Sequence, residues 1–106
     1  MRKAHIYYQD RLAGMLEEVQ NGFLFEYDSD YLKNPPSQAV SLNFPLRKEP
    51  YQSPSLFPFF DGLIPEGWYL DISLRILKID PEDRFGILLA TAQDCVGAVS
   101  IREKIP

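Results

Sequence analysis

The chain has 106 residues, a length that suits one domain. Hydrophobic residues make up 45% and charged residues 25%, which excludes a wholly disordered chain, and the composition also excludes a coiled coil, a collagen-like chain and a disulfide scaffold. Eleven basic against fifteen acidic residues leave a net charge of −4, which opposes direct binding to nucleic acid or to an anionic membrane. We therefore expect one domain spanning residues 1–106 with neither of those partners.

The first quarter of the chain predicts antiparallel strands. Residues 4–8 are rich in side chains that favour strands, residues 9–11 supply a polar turn, and residues 12–17 continue as the hairpin partner. Asn21-Gly22 is typical of a type I′ turn, because both residues tolerate positive φ. In residues 23–27, Phe23, Phe25 and Tyr27 alternate onto one face, the period of a half-buried strand.

The next stretch predicts shorter elements. Residues 29–34 favour one helical turn that Ser29 or Asp30 caps and that Pro35-Pro36 ends. Residues 40–44 favour a short strand, and residues 47–53 favour a loop.

The second half predicts helices and a final strand. With Ser55 as the cap, Pro58 falls at the third helical position, where its missing N–H costs no hydrogen bond. Residues 68–78 form a second helix, and Asp80 with Pro81 begins a third. The buried face of the third helix is predicted at Phe85, Leu88, Leu89 and Ala92, and residues 98–101 are the last strand. This order predicts an α+β domain: a small curved antiparallel sheet with about three short helices.

The residues that usually carry chemistry are sparse. His5 is the only histidine, with no second His or nearby Cys to form a metal site, and Cys95 is the only cysteine. Two pairs of aspartates lie close together in the sequence. Asp28 and Asp30 lack the other ligands of a calcium-binding loop, and helix capping explains Asp80 and Asp83. We predict no catalytic residue, no metal, no cofactor and no enzymatic activity. The lone thiol and the absence of a signal peptide or apolar span predict a cytoplasmic location.

The single tryptophan is the feature that most suggests an interface. At about 100° per residue, the apolar residues of the 68–78 helix share one broad arc, while Trp68 lies about 140° from the centre of that arc, beside Asp71 and Arg75. An exposed tryptophan next to arginine is typical of an interface anchor. Alternatively, the helix begins later and Trp68 folds back onto Phe59 and Phe60. The arc consists of Tyr69, Leu70, Ile72, Leu74, Ile76 and Leu77.

Four segments in order resemble a known family. Residues 59–67 (Phe-Phe-Asp-Gly-Leu-Ile-Pro-Glu-Gly) are similar to the Phe-Phe-Asp-x-Leu-Leu-Pro-(Glu/Asp) segment in the N-terminal subdomain of HipA-type serine/threonine kinase toxins. Residues 42–47 resemble the Leu-Ser-x-Pro-Leu element of that subdomain, residues 85–90 its Phe-x-Leu-Leu-Ala helix, and residues 94–100 its Asp-Cys-x-Gly-Ala strand entry. The resemblance covers nearly the whole chain and implies the fold of that subdomain.

The resemblance also implies a function without catalysis. HipA kinases continue for several hundred residues that carry the phosphate-binding loop and the catalytic and metal-binding aspartates, whereas this chain stops at Pro106. Kinase activity, ATP and magnesium therefore do not carry over. The chain looks like the stand-alone HipS type, which in tripartite HipB–HipS–HipT systems neutralises the HipT kinase. The implied partners are a HipT-like kinase and, in a ternary complex, a HipB-like DNA-binding protein.

For such an antitoxin, inhibition must come from binding energy, so we predict a contact surface around the Pro-Glu-Gly turn. Two other interpretations stay open. The chain could be an N-terminal structural subdomain excised from a full-length HipA-type kinase, although Met1 and the end at Pro106 favour a stand-alone protein. An unrelated small enzyme is remote, given only His5 and Cys95. The predicted surface comprises Ile64, Pro65, Glu66, Gly67, Trp68, Asp71 and Arg75.

Overall fold

Five strands form one antiparallel sheet in the computed structural model, which describes residues 1–64, 68–91 and 98–103. The sheet has the strand order β4-β3-β2-β1-β5, so the last strand of the chain lies beside the first. The predicted hairpins of the first quarter are confirmed, and the predicted loop at 47–53 contains a short strand instead. The strands are β1 (Lys3–Tyr8), β2 (Arg11–Val19), β3 (Gly22–Tyr27), β4 (Tyr51–Ser53) and β5 (Val99–Glu103).

Both hairpin turns are two residues long. Gln9 and Asp10 connect β1 to β2, and both adopt left-handed backbone with φ of 49° and 67°. The second turn consists of Gln20 and Asn21, of which only Asn21 has positive φ, at 68°. The predicted type I′ turn at Asn21-Gly22 is therefore wrong: the turn starts one residue earlier, and Gly22 already pairs with Val19.

A β-bulge in β2 changes which face of the sheet its side chains occupy. Ile6 pairs with Gly14 while Tyr7 pairs with Leu12, which leaves Ala13 as the extra residue. Because side chains alternate along a strand, the extra residue moves Leu12 to the outer face, away from the core. Next to the bulge, position 14 requires glycine, because a Cβ there would lie 2.4 Å from the carbonyl oxygen of Glu26.

Four helices lie in the described ranges; two of them start at other residues than predicted, and a third has a different cap. They are α1 (Ser29–Lys33), α2 (Pro58–Asp61), α3 (Trp68–Leu77) and α4 (Arg84–Thr91). The cap of α1 is Asp28, whose carboxylate accepts from the Tyr31 N–H at 3.2 Å. In α2, Pro58 is the first helical residue rather than the third. Proline is favourable at this position, because its φ is already helical and the N–H that it lacks would have no partner within the helix.

The helix predicted after Asp80 begins later than expected. Asp80 accepts from the N–H of Glu82 and so caps only a short turn. Asp83 caps α4, because its carboxylate accepts from the Gly86 N–H and its carbonyl accepts from the Ile87 N–H. Phe85, Leu88 and Leu89 are buried as predicted, together with Ile87, and Ala92 lies outside the described residues.

The segment at 40–44, predicted as a strand, is held as an irregular loop by tyrosine hydroxyls. The Tyr27 hydroxyl accepts from the Val40 N–H at 3.0 Å and donates to the Phe44 carbonyl. The Tyr31 hydroxyl donates to the Gln38 carbonyl at 2.6 Å. Burial raises the pKa of Tyr27 to about 12, so its hydroxyl stays protonated and able to donate well above neutral pH. These bonds from side chains satisfy backbone N–H and C=O groups that would otherwise pair with a neighbouring strand.

The core lies between the inner face of the sheet, α2, α4 and the 40–44 loop. Phe44 is 3% exposed, and its ring contacts rings from β3, β4 and α2. The inner-face strand residues alternate with solvent-facing ones, as a sheet covered on one side requires. The fully buried large side chains are Ile6, Leu16, Phe25, Phe60, Phe85, Ile87, Leu88 and Ile101.

An ionic cluster links the start of β1 to β2 and to α4. The Arg2 guanidinium donates to the carboxylates of Glu18 and Asp83, each at 2.8 Å, and lies 5.3 Å from the ring centroid of Phe85. The hydrogen bonds from Arg2 hold the pKa values of Glu18 and Asp83 below their usual range. The cluster therefore ties the N-terminus of α4 to the sheet at neutral pH.

We predict that this cluster makes folding stability depend on acid. Because folding lowers both carboxyl pKa values, their contribution is complete at neutral pH and is lost as the pH falls from about 5 to 2. Replacing Arg2 with methionine is expected to cost about 1 kcal/mol at pH 7, since the groups are partly screened by solvent, and almost nothing at pH 2. Urea unfolding of both proteins at the two pH values measures the difference.

The matched control is Lys3→Met, whose Nζ lies 3.8 Å from a Glu17 carboxylate oxygen in a looser, more exposed pair. That variant is expected to differ from the wild type by less than about 0.5 kcal/mol at either pH. Equal costs for Arg2→Met at pH 7 and pH 2 would mean that the cluster acts through packing alone.

Candidate functional site

The described part of the chain contains no group of three or more His, Cys, Asp and Glu side chains that could hold a metal ion. His5 is half-buried on β1, with its ring edge-on to Tyr7 at 6.3 Å. Asp28, Asp80 and Asp83 are caps, as described above. Cys95 lies outside the described residues. None of the described helices has the length and apolar character needed to cross a bilayer.

The predicted partner surface is only partly described. Ile64 is 5% exposed and belongs to the core. Pro65, Glu66 and Gly67 lie outside the described residues. The partner-binding role of this surface remains a prediction.

The helix predicted after this turn is confirmed by α3. The first residue of α3 is Trp68, whose side chain is outside the description, while Asp71 and Arg75 are exposed one turn apart. At 100° per residue, position 68 shares a stripe of α3 with Asp71 and Arg75.

Among its described side chains, the apolar arc of this helix is covered by the core only in part. Leu74 packs against the core, but Ile76 is 72% exposed and Leu77 is 51% exposed. Position 76 lies about 160° around the helix from position 74, so one core contact cannot cover both. The helix ends at Leu77; the next residue, Lys78, has left-handed backbone, and Ile79 packs against the core. We define the exposed apolar pair Ile76 and Leu77 as the α3 tip.

A groove of about 770 Å³ lies on the outer face of the sheet, on the side opposite the core. Its floor comes from the outward positions of β1, β2 and β3, where His5 is paired with Met15, Met15 with Glu26, and Glu17 with Leu24. The bulge adds Leu12 to this floor. Sequence patterns do not indicate this groove, because its floor depends on the register of three strands and on the bulge in β2.

Two walls close the groove, α1 and the loop at 46–48. Leu32 and Lys33 come from α1, and Leu46, Arg47 and Lys48 come from the loop. Arg47 is held in place: its Nε and Nη2 donate to the carbonyls of Glu49 and Pro50, and its guanidinium lies 3.7 Å from the ring centroid of Tyr51. The groove therefore combines an apolar floor with three cationic side chains on its walls. We call it the outer-face groove.

Comparison with known proteins agrees with this architecture. The family model described as HipA N-terminal domain matches residues 4–102. An uncharacterized protein of Haemophilus influenzae is 36% identical over 104 residues, a match that covers 98% of this chain and 94% of the relative. This relative is thus a protein of nearly the same extent.

Two further matches are to part of a larger protein and to a solved structure. The putative kinase Y4mE of Sinorhizobium fredii is 26% identical over 102 residues, which cover 95% of this chain but only 24% of that protein. A solved structure titled N-terminal domain of HipA toxin superposes with a TM-score of 0.75 at 30% identity, covering 99% of this chain and 94% of that one. The resemblance seen in the four sequence segments therefore extends to the three-dimensional fold.

Proposed function

Since this chain belongs to the HipA N-terminal domain family, we propose that it is an antitoxin that binds and neutralises a HipT- or HipA-like serine/threonine kinase without catalysis of its own. The matches concern an N-terminal domain and not a kinase catalytic part. A cytoplasmic location and a third component, a HipB-like DNA-binding protein, belong to the same proposal. At a net charge of −4, any contact with DNA comes through that third component.

The observation that carries the proposal is the match to a putative kinase of which this domain is about a quarter. In such a protein the domain is covalently joined to the remainder, so part of its surface is suited to face that remainder. A separate chain with the same fold can offer the corresponding surface to a kinase as an independent partner. The kinase is therefore the partner that the family relationship favours.

The α3 tip supports a protein partner on the helical side of the molecule. Ile76 and Leu77 are large apolar side chains that the core does not cover, on the helix that also carries the exposed Asp71 and Arg75. An apolar centre with a polar rim is the usual composition of a protein–protein interface. At 100° per residue, Ile76 lies about 80° around α3 from position 68, whereas Leu77 lies on the opposite side of the helix, so Ile76 is the residue of the α3 tip that extends this candidate surface.

Inhibition by such a protein needs differential binding rather than chemistry. The chain can obstruct the active site of the kinase, or it can bind an unproductive conformation more tightly than the active one and shift the population toward it. In both cases the inhibition saturates at one bound antitoxin per kinase.

The test is to co-express the chain with the kinase encoded beside it, isolate the complex and measure kinase autophosphorylation against the amount of antitoxin added. We expect a stable heterocomplex and activity that falls linearly to a plateau at equimolar antitoxin. Full activity in the presence of excess folded chain would contradict the proposal.

A second candidate follows from the same kinase match: the chain is the N-terminal structural subdomain of a full-length HipA-type kinase. Reading the coding frame downstream of residue 106 separates the two. A continuous frame that encodes a kinase core favours the subdomain, and a stop followed by a separate kinase gene favours the antitoxin.

A further inference from the structure

We infer that the outer-face groove is a second docking site, which receives a segment of a partner protein that carries large apolar side chains flanked by acidic ones. The inference rests on the groove alone and does not require the partner of α3 to be a kinase. All the residues that line the groove fall between positions 5 and 48, a continuous stretch that the structure describes.

The floor of the groove favours an apolar occupant. The outer face of a sheet covered on one side usually carries polar side chains, because it faces water. Here Leu12, Met15 and Leu24 occupy that face and are only half-buried, with Leu32 and Leu46 at the sides. The volume of about 770 Å³ accommodates two or three large side chains of a bound segment.

The charges at the groove favour an acidic occupant. Glu17 already faces Lys3, which leaves Glu26 and Asp28, the cap of α1, as the two groove acids without an ion pair among the described residues. On the walls, Lys33 and Lys48 have no carboxylate within 4.0 Å in the same described part of the chain, and Arg47 binds only carbonyls and a ring. After the Lys3–Glu17 pair is set aside, three cations face two anions, an excess of one positive charge in a chain that is negative overall.

The groove is also independent of the candidate surface on α3. Leu74 and Ile79 attach the α3 region to the core, which lies on the inner face of the sheet. The groove lies on the outer face, so a partner bound at α3 leaves it open. One chain can thus bind two partners at once, one on each face.

The experiment is a titration of the ¹⁵N-labelled full chain with three capped hexapeptides, followed by amide chemical shifts. The probe is acetyl-Glu-Glu-Leu-Leu-Glu-Glu-amide; the controls are acetyl-Glu-Glu-Gly-Gly-Glu-Glu-amide, which lacks the apolar pair, and acetyl-Lys-Lys-Leu-Leu-Lys-Lys-amide, which reverses the charge. We expect saturable shifts at the groove residues with the probe only, weakening as salt is raised.

Matched charge reversals assign the effect to the groove. Lys48→Glu and Lys33→Glu are each expected to weaken binding of the probe by about three-fold or more. Lys78→Glu makes the same change in net charge at an exposed site beyond α3 and is expected to leave the affinity unchanged.

Three results would overturn the inference. One is the absence of localised shifts at millimolar probe, and another is equal or tighter binding of the lysine peptide. The third is a concentration-dependent shift of the same amides without peptide, which would identify a second copy of this chain as the occupant.

Discussion

Replacing Phe44 with alanine is expected to lower the free energy of unfolding by about 3 to 5 kcal/mol, because the site cannot collapse around the lost ring. Phe44 is 3% exposed and lies in a loop, but its ring is the centre of the aromatic cluster. Urea unfolding followed by circular dichroism measures the loss. The ring centroids of five neighbours lie 5.0 to 6.1 Å from that of Phe44: Phe25, Tyr51, Phe57, Phe59 and Phe60.

The control for this variant lies two residues away in the same sequence motif. Leu42 is 99% exposed, so Leu42→Ala removes a comparable apolar side chain that contributes nothing to the core. We expect it to change the free energy of unfolding by less than about 0.5 kcal/mol. Similar losses for the two variants would show that the loop does not anchor the core as described.

Replacing Trp68 with alanine is expected to weaken binding to the kinase by roughly 30-fold or more, the loss of about 2 kcal/mol that marks an interface hot spot. The expectation depends on the proposed function and on the position of residue 68 at the start of α3, on the stripe of Asp71 and Arg75. The measurement is the dissociation constant of the purified variant with the kinase, after circular dichroism has established that the variant is folded.

Two sets of variants make this test specific. Trp68→Phe keeps an aromatic ring and is expected to recover part of the affinity, whereas Asp71→Asn and Arg75→Gln, at an exposed rim, are expected to cost about 1 kcal/mol or less each. If a folded Trp68→Ala protein keeps its affinity for the kinase while Ile76→Asp loses it, the main contact lies at the α3 tip and not at Trp68.

The elements that were correctly predicted are those whose signal is local. The alternation of Phe23, Phe25 and Tyr27 identified β3 and its buried face, and the helix at 68–78 matches α3 to within one residue. These patterns depend on the geometry of one segment, with period 2 in a strand and 3.6 in a helix, so the sequence is sufficient. The family resemblance was likewise visible in short motifs, because the chain retains them in order along its length.

The caps were less well predicted, because a cap is a single hydrogen bond chosen among neighbouring candidates. The cap of α1 is Asp28 rather than the predicted Ser29 or Asp30, and the cap of α4 is Asp83 rather than Asp80. In the second case a distant residue contributes: Arg2, at the other end of the chain, binds Asp83 and so stabilises the start of α4 at that point. Because Arg2 and Asp83 are 81 residues apart in the sequence, no local pattern around Asp83 indicates that it is the cap.

Local patterns in the sequence were sufficient for the class of fold, for most of the strands and helices, for the family resemblance and for the scarcity of catalytic groups. They were not sufficient to identify the apolar residues that stay uncovered, because exposure depends on what packs against a segment and not on its own periodicity. Ile76 and Leu77 share an apolar arc with Leu74, yet the core reaches only Leu74. Leu12 follows the pattern of an inward residue, yet one extra residue in β2 turns it outward and helps to form the outer-face groove.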